Sequence, residues 1–268
     1  GDDYAKFSDD GKTLAGAYGP RIFAKSRAFG EIIPDDEWQR IIRTLRERDG
    51  SRNAIIQIYA NADGRAAGKD IPCTCTLQFV IRKKRLHLHV HMRSNDTFLG
   101  LPHDVFSFTM LQEIAARELG VEVGTYQHSV ASLHLYDDGE KLKSRSEAQA
   151  YLEEGLHDIV PMPEMPLGDP WPALREVLAA EREIRGGSVD YEPPGDLDPY
   201  WRDLITLLRI YGADRQRQGK GVDELLEQVT HDYFRLYVLD RIARRRPRPP
   251  EIERLRQRIA LEKETVQR

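Results

Sequence analysis

The sequence predicts an α+β chain of 268 residues, with a mixed sheet and helices over residues 1–160 and a helical section over 161–268. Three observations carry that expectation. β-branched runs and one strictly alternating segment, Leu86–Met92, fall in the first part. Stretches with apolar residues at helical spacing lie between them. Beyond Pro161 the strand signals stop, and helical stretches follow, separated by Pro161-Met-Pro-Glu-Met-Pro166 and Pro193-Pro194.

Taken in order, residues 1–23 are rich in Gly and Asp and read as loop, including Gly16-Ala-Tyr-Gly-Pro-Arg21. Over 34–48, Trp38, Ile41, Ile42 and Leu45 recur at helical spacing after Asp35-Asp36-Glu37, acids that suit a helix N-terminus. Ala54–Tyr59 is a strand candidate. Residues 77–81 and 86–92 flank Arg82-Lys-Lys-Arg85, which reads as a hairpin turn. Alternation puts Leu86, Leu88, Val90 and Met92 on one face and His87, His89 and His91 on the other. Those histidines splay apart and lack an accompanying carboxylate, so they read as a half-exposed strand face and not as a metal site.

Residues 105–119 predict a largely buried helix ending at the C-cap candidate Gly120, and 121–136 is β-rich again. The later helices are expected at about 171–185, 198–213 and 222–245, with a last charged one at 251–266.

Composition narrows the function classes. The formal charge is −4, which argues against a protein whose main task is coating nucleic acid; the Arg241–Arg248 cluster reads as complement to a helix end. Mean hydropathy is −0.58, and no apolar run approaches the ~18 residues of a membrane span. Cys73 and Cys75, one residue apart, form neither a disulfide framework nor a zinc pattern. With no basic and apolar leader pattern at the start, the expectation is a cytoplasmic, reducing setting.

Six segments then occur in series: Ala15-Gly-Ala-Tyr-Gly19, Ser51-Arg52, Pro72-Cys73-Thr-Cys-Thr-Leu-Gln-Phe79, Arg93-Ser-Asn-Asp-Thr-Phe-Leu-Gly-Leu-Pro102, Leu119-Gly-Val-Glu-Val-Gly124 and His134-Leu-Tyr136. In order and interval they resemble thymidylate synthase and the pyrimidine-nucleotide hydroxymethylases, closest in type to the cytidylate enzymes. The resemblance covers about residues 10–137 and implies the mixed-sheet fold of that family.

It also implies roles. C5 of a pyrimidine is a poor nucleophile, and a thiolate adding to C6 makes C5 enamine-like, splitting one hard step into two. Cys73 resembles that nucleophile, with Arg93 the natural group to help it ionise. Arg93 and Ser94 match ligands of the nucleotide phosphate. Arg52 matches an arginine reaching the phosphate of the partner subunit in an obligate homodimer. Asp96 and Gly100 match the pyrimidine site, Asp96 also among the catalytic groups, and His134 with Tyr136 the pair holding the ribose hydroxyl. Arg21 is a candidate for further phosphate charge. The implied one-carbon donor is 5,10-methylenetetrahydrofolate.

Asp104 carries the choice of base. Uracil-methylating relatives have asparagine there, whose amide donates to O4 and accepts from N3–H. A carboxyl group instead accepts from the N4 amine of cytosine and, with one shared proton, pairs with N3. The expected reaction is therefore one-carbon transfer to C5 of a cytidine monophosphate with hydration, giving 5-hydroxymethyl-CMP or -dCMP, with a lean toward the ribonucleotide as in nucleoside-antibiotic pathways. The alternatives are C5 methylation of a pyrimidine nucleotide and a catalytically silent nucleotide-binding relative. A capping role for Asp104 at the 105–119 helix is compatible with either.

The pattern departs from the family in places. Asn53 stands where a second arginine is usual, Thr74 where a histidine follows the nucleophile, and Met92 where Asn or Gln precedes Arg-Ser. The N-terminal region with its phosphate arginine and water-positioning glutamate finds no counterpart. The folate-closing tail is expected to be displaced by the helical section.

Overall fold

The computed structural model describes residues 8, 10–24, 27–28, 31–32, 35–65, 68–137, 144–154, 161–215 and 219–243. The chain divides into two compact units, Gly1–Leu156 and His157–Arg268. Among the described residues no helix is long and apolar enough to cross a membrane.

The first unit is built on a four-stranded sheet of β3 (Ile55–Gln57), β4 (Thr74–Arg82), β5 (Arg85–Met92) and β7 (Glu122–Val130), in that spatial order. β3–β4 and β4–β5 are antiparallel; β5–β7 is parallel. The β4–β5 hairpin turns at Lys83 and Lys84, both at positive φ, the geometry that matches strand twist in a two-residue turn. A short ladder of β1 (Arg27–Ala28) and β2 (Glu31–Ile32) lies apart, and β6 (Asn95–Asp96) pairs in parallel with β8 (Leu133–His134).

Alternation decides which face is covered. Leu77, Phe79, Ile81, Leu86, Leu88, Val90 and Met92 are buried, while His89 and His91 are exposed and His87 is half-buried. Against the buried face lie α2 (Glu37–Glu47) and α3 (Leu101–Leu119). All four apolar residues expected on the first of these, Trp38, Ile41, Ile42 and Leu45, are buried. Its start is fixed by a capping box: the Asp36 carboxylate accepts the Gln39 N–H at 2.7 Å and the Gln39 side chain accepts the Asp36 N–H at 3.3 Å, an arrangement worth about 1 kcal/mol.

Helix α3 is the crossover between the parallel strands. Buried Gln112 ties it down by donating to Leu86 O at 2.8 Å, Thr125 O at 3.2 Å and Gly124 O at 3.3 Å, where the β5–β7 register shifts. Gly120 ends it at φ 66, the left-handed conformation glycine adopts without strain.

Several sequence expectations need correction. Residues 18–23 are not loop but a short helix, α1 (Tyr18–Phe23), with Pro20 in its first turn, where a missing N–H costs nothing. α3 begins at Leu101, a turn before residue 105, for the same reason: Pro102 lies at its start. A further helix, α4 (Ser144–Glu154), lies in a stretch given no element from sequence.

In the second unit, α5 (Trp171–Arg185), α6 (Pro199–Arg215), α7 (Gly219–Gln228) and α8 (Asp232–Ala243) follow one another. The single helix expected over 222–245 is two, because buried Asp203 of α6 accepts the backbone N–H of Thr230 at 2.9 Å and of His231 at 2.8 Å. Those donors start α8 instead of continuing α7. Ile210, Leu225, Leu226, Phe234 and Val238 form the core of this unit. The helix expected at 251–266 and the Arg244–Arg248 run lie outside the described residues.

Candidate active site

Cys73 stands at the mouth of β4, between Pro72 and buried Thr74. Its carbonyl accepts the Arg93 N–H at 2.9 Å, fastening the entry of β4 to the exit of β5. The Arg93 side chain folds back alongside: Nε donates to Pro72 O at 2.9 Å and Nη2 to Ile71 O at 3.0 Å. Sequence places these residues twenty apart; the antiparallel hairpin makes them neighbours. The thiol is half-buried and free. Burial pushes it above the ordinary range; Arg93 opposes that, while Asp104, Asp70 and Cys75 reinforce it. Ser94 follows Arg93, half-buried.

Asp96 is buried, and its Oδ1 gathers the backbone N–H groups of Phe98 at 3.0 Å, Leu99 and Gly100 at 3.4 Å. That turn delivers the chain into α3. A Cβ on Gly100 would collide with Asn95 Oδ1 and sit 3.3 Å from Asp96 O, so the position requires glycine. Oδ2 of Asp96 is buried with no partner among the described residues. Through the β6–β8 ladder Asp96 is the register partner of His134. Thr97 closes the ladder, donating from N and Oγ1 to His134 O, each at 2.8 Å. His134 and Tyr136 meet edge-to-face with centroids 4.8 Å apart. The two are thus held as a pair, next to Asp96.

Asp104 lies in the first turn of α3, and its own N–H is bonded to Gly100 O at 3.0 Å. Asp104 is therefore not the cap: the N-cap position is Gly100, no side chain caps the helix, and Asp96 holds the amides of the turn that precedes it. Burial raises the Asp104 carboxyl to about 6, against the pull of the Asn95 amide and His103. Its influence on Cys73 and Tyr18 places the three in one neighbourhood.

Five residues around this centre carry no site role in the sequence reading. The Tyr18 hydroxyl accepts the Thr74 N–H at 3.3 Å, and its ring stacks on Phe108 at 6.0 Å. Phe108 faces the His128 ring at 6.5 Å, and His128 Nδ1 lies 2.5 Å from Tyr126 Oη. Asn95, 4% exposed, places Nδ2 3.4 Å from His128 Nε2. The available signal was parity: Tyr126 and His128 occupy the same face of β7 as Val130, polar groups where a buried face is expected.

Two arginines stand elsewhere. Arg21 grips Asp63 with both Nη groups, at 2.6 and 2.7 Å, and also donates to Ile58 O and Ala15 O. It ties α1 to the turn after β3, and these partners engage both Nη groups of its guanidinium. Arg52 is exposed just before β3, on a braced turn. Gln78 donates to Arg52 O at 3.1 Å, Ser51 Oγ accepts the Asn53 N–H at 3.2 Å, and Arg40 donates to Asn53 O at 3.4 Å and to Ile55 O. The brace holds backbone only. No contact joins Arg52 to the Cys73–Asp104 group among the described residues.

The thymidylate synthase family model matches residues 2–155, more than half of the chain. This chain belongs to the thymidylate synthase family. It is similar to thymidylate synthase of Bacillus phage phi3T, 33% identical over 129 residues that make up 48% of this chain and 45% of that protein. It is equally similar, at 33% over 129 residues, to thymidylate synthase of Bacillus atrophaeus, over 55% of that protein. The chain thus spans about half the length of the curated relatives it matches. Among solved structures, thermostable thymidylate synthase A from Bacillus subtilis aligns over 59% of this chain and 52% of its own, with 25% identity and a TM-score of 0.46.

Members of the family bind pyrimidine nucleotides, are typically homodimers, and draw the one-carbon unit from 5,10-methylenetetrahydrofolate. The residues present suit such a donor. Asp96 Oδ2 is an unpartnered buried acceptor that would take a ring N–H, and the adjacent Leu99, 42% exposed, offers apolar surface to a flat ring.

Proposed function

We propose that this chain transfers a one-carbon unit to C5 of a cytidine monophosphate and completes it with water, giving 5-hydroxymethylcytidylate. The observation that carries the choice of base is Asp104: a carboxyl raised to about 6, close to the Cys73 thiol, where uracil-methylating relatives have an amide.

Cys73 Sγ adds to C6 of the bound base. Arg93, locked against the Pro72 and Ile71 carbonyls, keeps its positive charge beside the thiol as it ionises. When bound, 5,10-methylenetetrahydrofolate supplies the carbon at the methylene level. Asp96 receives an N–H with its open Oδ2, and His134 with Tyr136 addresses the ribose hydroxyl. Arg93 and Ser94 hold the phosphate, joined by the Arg52 of a second copy; a braced turn with an exposed guanidinium suits that reach.

Asp104 shares one proton with the cytosine ring nitrogen N3 and accepts from the N4 amine. N3 is basic and holds part of that proton, whereas uracil offers a weakly basic carbonyl at O4 and meets repulsion from an ionised carboxylate. A mismatched polar pair of this kind costs about 1–3 kcal/mol, roughly ten- to hundredfold in preference.

A second reading is methylation of C5 without hydration, favoured by the relatives, which are thymidylate synthases. Incubation with methylenetetrahydrofolate and each of CMP, dCMP, UMP and dUMP, followed by mass detection, decides. A cytidylate product heavier than the methyl compound by one oxygen supports the proposal. A methyl product, or turnover of uridylates alone, refutes it.

A further inference from the structure

We propose that Asp70 is a positioning residue for Cys73. By holding the Gly16 amide it seats the Tyr18 hydroxyl on the Thr74 N–H, and the two contacts clasp the strand entry on either side of the thiol. The consequence for catalysis rests on Cys73 being the nucleophile; the clasp itself does not.

The contacts lie in matching order along two segments. The Gly16 N–H donates to Asp70 Oδ2 at 2.7 Å, across 54 residues of chain, and Tyr18 Oη accepts the Thr74 N–H at 3.3 Å. Residues 70 and 74 bracket Cys73, and residues 16 and 18 are their partners. A second fastening comes from Arg93. Its side chain holds the Pro72 carbonyl at 2.9 Å and the Ile71 carbonyl at 3.0 Å, and its N–H holds the Cys73 carbonyl at 2.9 Å. The backbone of 70–74 is thus gripped by two segments, and the half-buried thiol lies between the grips. Gly16 is buried and meets the carboxylate at close range. A Cβ there would come 2.7 Å from Asp70 Oδ1 and 3.0 Å from its Cγ, so this approach requires glycine.

Activation of the thiol does not account for Asp70. Burial raises the Cys73 thiol, and the Asp70 charge adds to that rise against the pull of Arg93. What the carboxylate contributes is a charge-assisted acceptor for a buried N–H, stronger than a neutral one. Other contacts hold the neighbourhood of Gly16 without replacing this bond. Arg21 donates to the Ala15 carbonyl at 2.8 Å and to Asp63, so the loop stays attached when Asp70 is lost. Stacking on Phe108, with centroids 6.0 Å apart, sets the plane of the Tyr18 ring but not the reach of its hydroxyl.

The test reads hydrogen exchange at the Thr74 amide by NMR in the ligand-free protein. Tyr18→Phe, which removes only the acceptor oxygen, gives the rate without that bond. Asp70→Ala raises the Thr74 rate about tenfold, toward the Tyr18→Phe value, although Tyr18 is intact. Asp70→Asn, whose amide oxygen still accepts from Gly16, returns it toward the parent rate. In parallel, tritium release from C5 of labelled CMP and UMP is followed with methylenetetrahydrofolate present. Asp70→Ala lowers its kcat about tenfold with KM little changed, and Asp70→Asn recovers most of the loss. Parent-like Thr74 exchange in Asp70→Ala overturns the proposal, as does faster exchange with a parent-like kcat. If that variant does not fold, Gly16→Ala decides on the same readings, since its methyl group displaces the carboxylate and leaves the charge in place. Faster Thr74 exchange in Asp70→Ala, when the parent releases tritium from neither nucleotide, refutes the nucleophile reading and leaves the clasp standing.

Discussion

Arg93 and Cys73 are bound to each other at two levels. The Arg93 N–H is bonded to the Cys73 carbonyl at 2.9 Å, and the Arg93 Nε is bonded to the carbonyl one residue earlier, Pro72, at 2.9 Å. The charge that favours the thiolate is therefore fixed to the strand that carries the thiol. A lysine could supply charge but not the two-carbonyl fork. Arg93→Lys should slow alkylation of Cys73 by iodoacetamide about tenfold at neutral pH, since a charge-assisted contact of about 1.5 kcal/mol or more is lost. The pH–rate profile of alkylation checks this, and its midpoint should move upward.

Nucleotide affinity should depend on Asp104 with a definite sign. The free carboxyl holds its proton below about pH 6 and releases it above. Pairing with cytosine N3 requires one shared proton, so CMP binding takes up a proton above that point and weakens by up to about tenfold per pH unit. Asp104→Asn carries its N–H at every pH. Calorimetric titration between pH 5 and pH 8 should show the decline in the parent and a flat profile in the variant, together with a shift of preference toward uridylate.

The same group predicts a stability effect. Its folded pKa lies above the ordinary 3.8 of a free aspartate, so the folded state binds more protons between pH 3.8 and about 6, and stability falls as pH rises through that window. Asp104→Asn removes this cost. Allowing for partial exposure, the variant should gain about 1–2 kcal/mol at pH 8 and about nothing at pH 3.5. Urea unfolding at the two pH values measures the difference.

Gly100 occupies a position without room for a methyl group, between Asn95 Oδ1 and Asp96 O. Gly100→Ala should cost about 1–3 kcal/mol of stability. It should weaken CMP binding more than a Gly120→Asn change at the other end of α3, where nothing lies within 4 Å. Thermal unfolding and binding of both variants provide the comparison.

The elements legible from sequence are those whose cause is local. Trp38, Ile41, Ile42 and Leu45 announce α2 because one buried stripe suffices, and the alternation of Leu86–Met92 announces β5 because one face is covered. The break between α7 and α8 was not legible, since it is imposed by Asp203, 27 residues before Thr230. The start of α3 was misplaced because Pro102 and Asp104 look like turn residues, although proline suits the first turn of a helix.

The motif residues of the site were readable as types. What brings Asp96 beside His134 is the two-residue β6–β8 ladder, too short to leave a pattern. Tyr126 and His128 belong to no motif quoted above and gain their meaning only under Phe108, beside Asn95.

The most direct measurement of the central claim is tritium release from C5 of labelled CMP and UMP in the presence of methylenetetrahydrofolate. Addition of the Cys73 sulfur to C6 is what labilises that hydrogen. The account predicts release from CMP well above UMP, none from either with Cys73→Ser, and a preference reversed toward UMP with Asp104→Asn. Release that survives Cys73→Ser, or a preference for UMP in the parent protein, would contradict it.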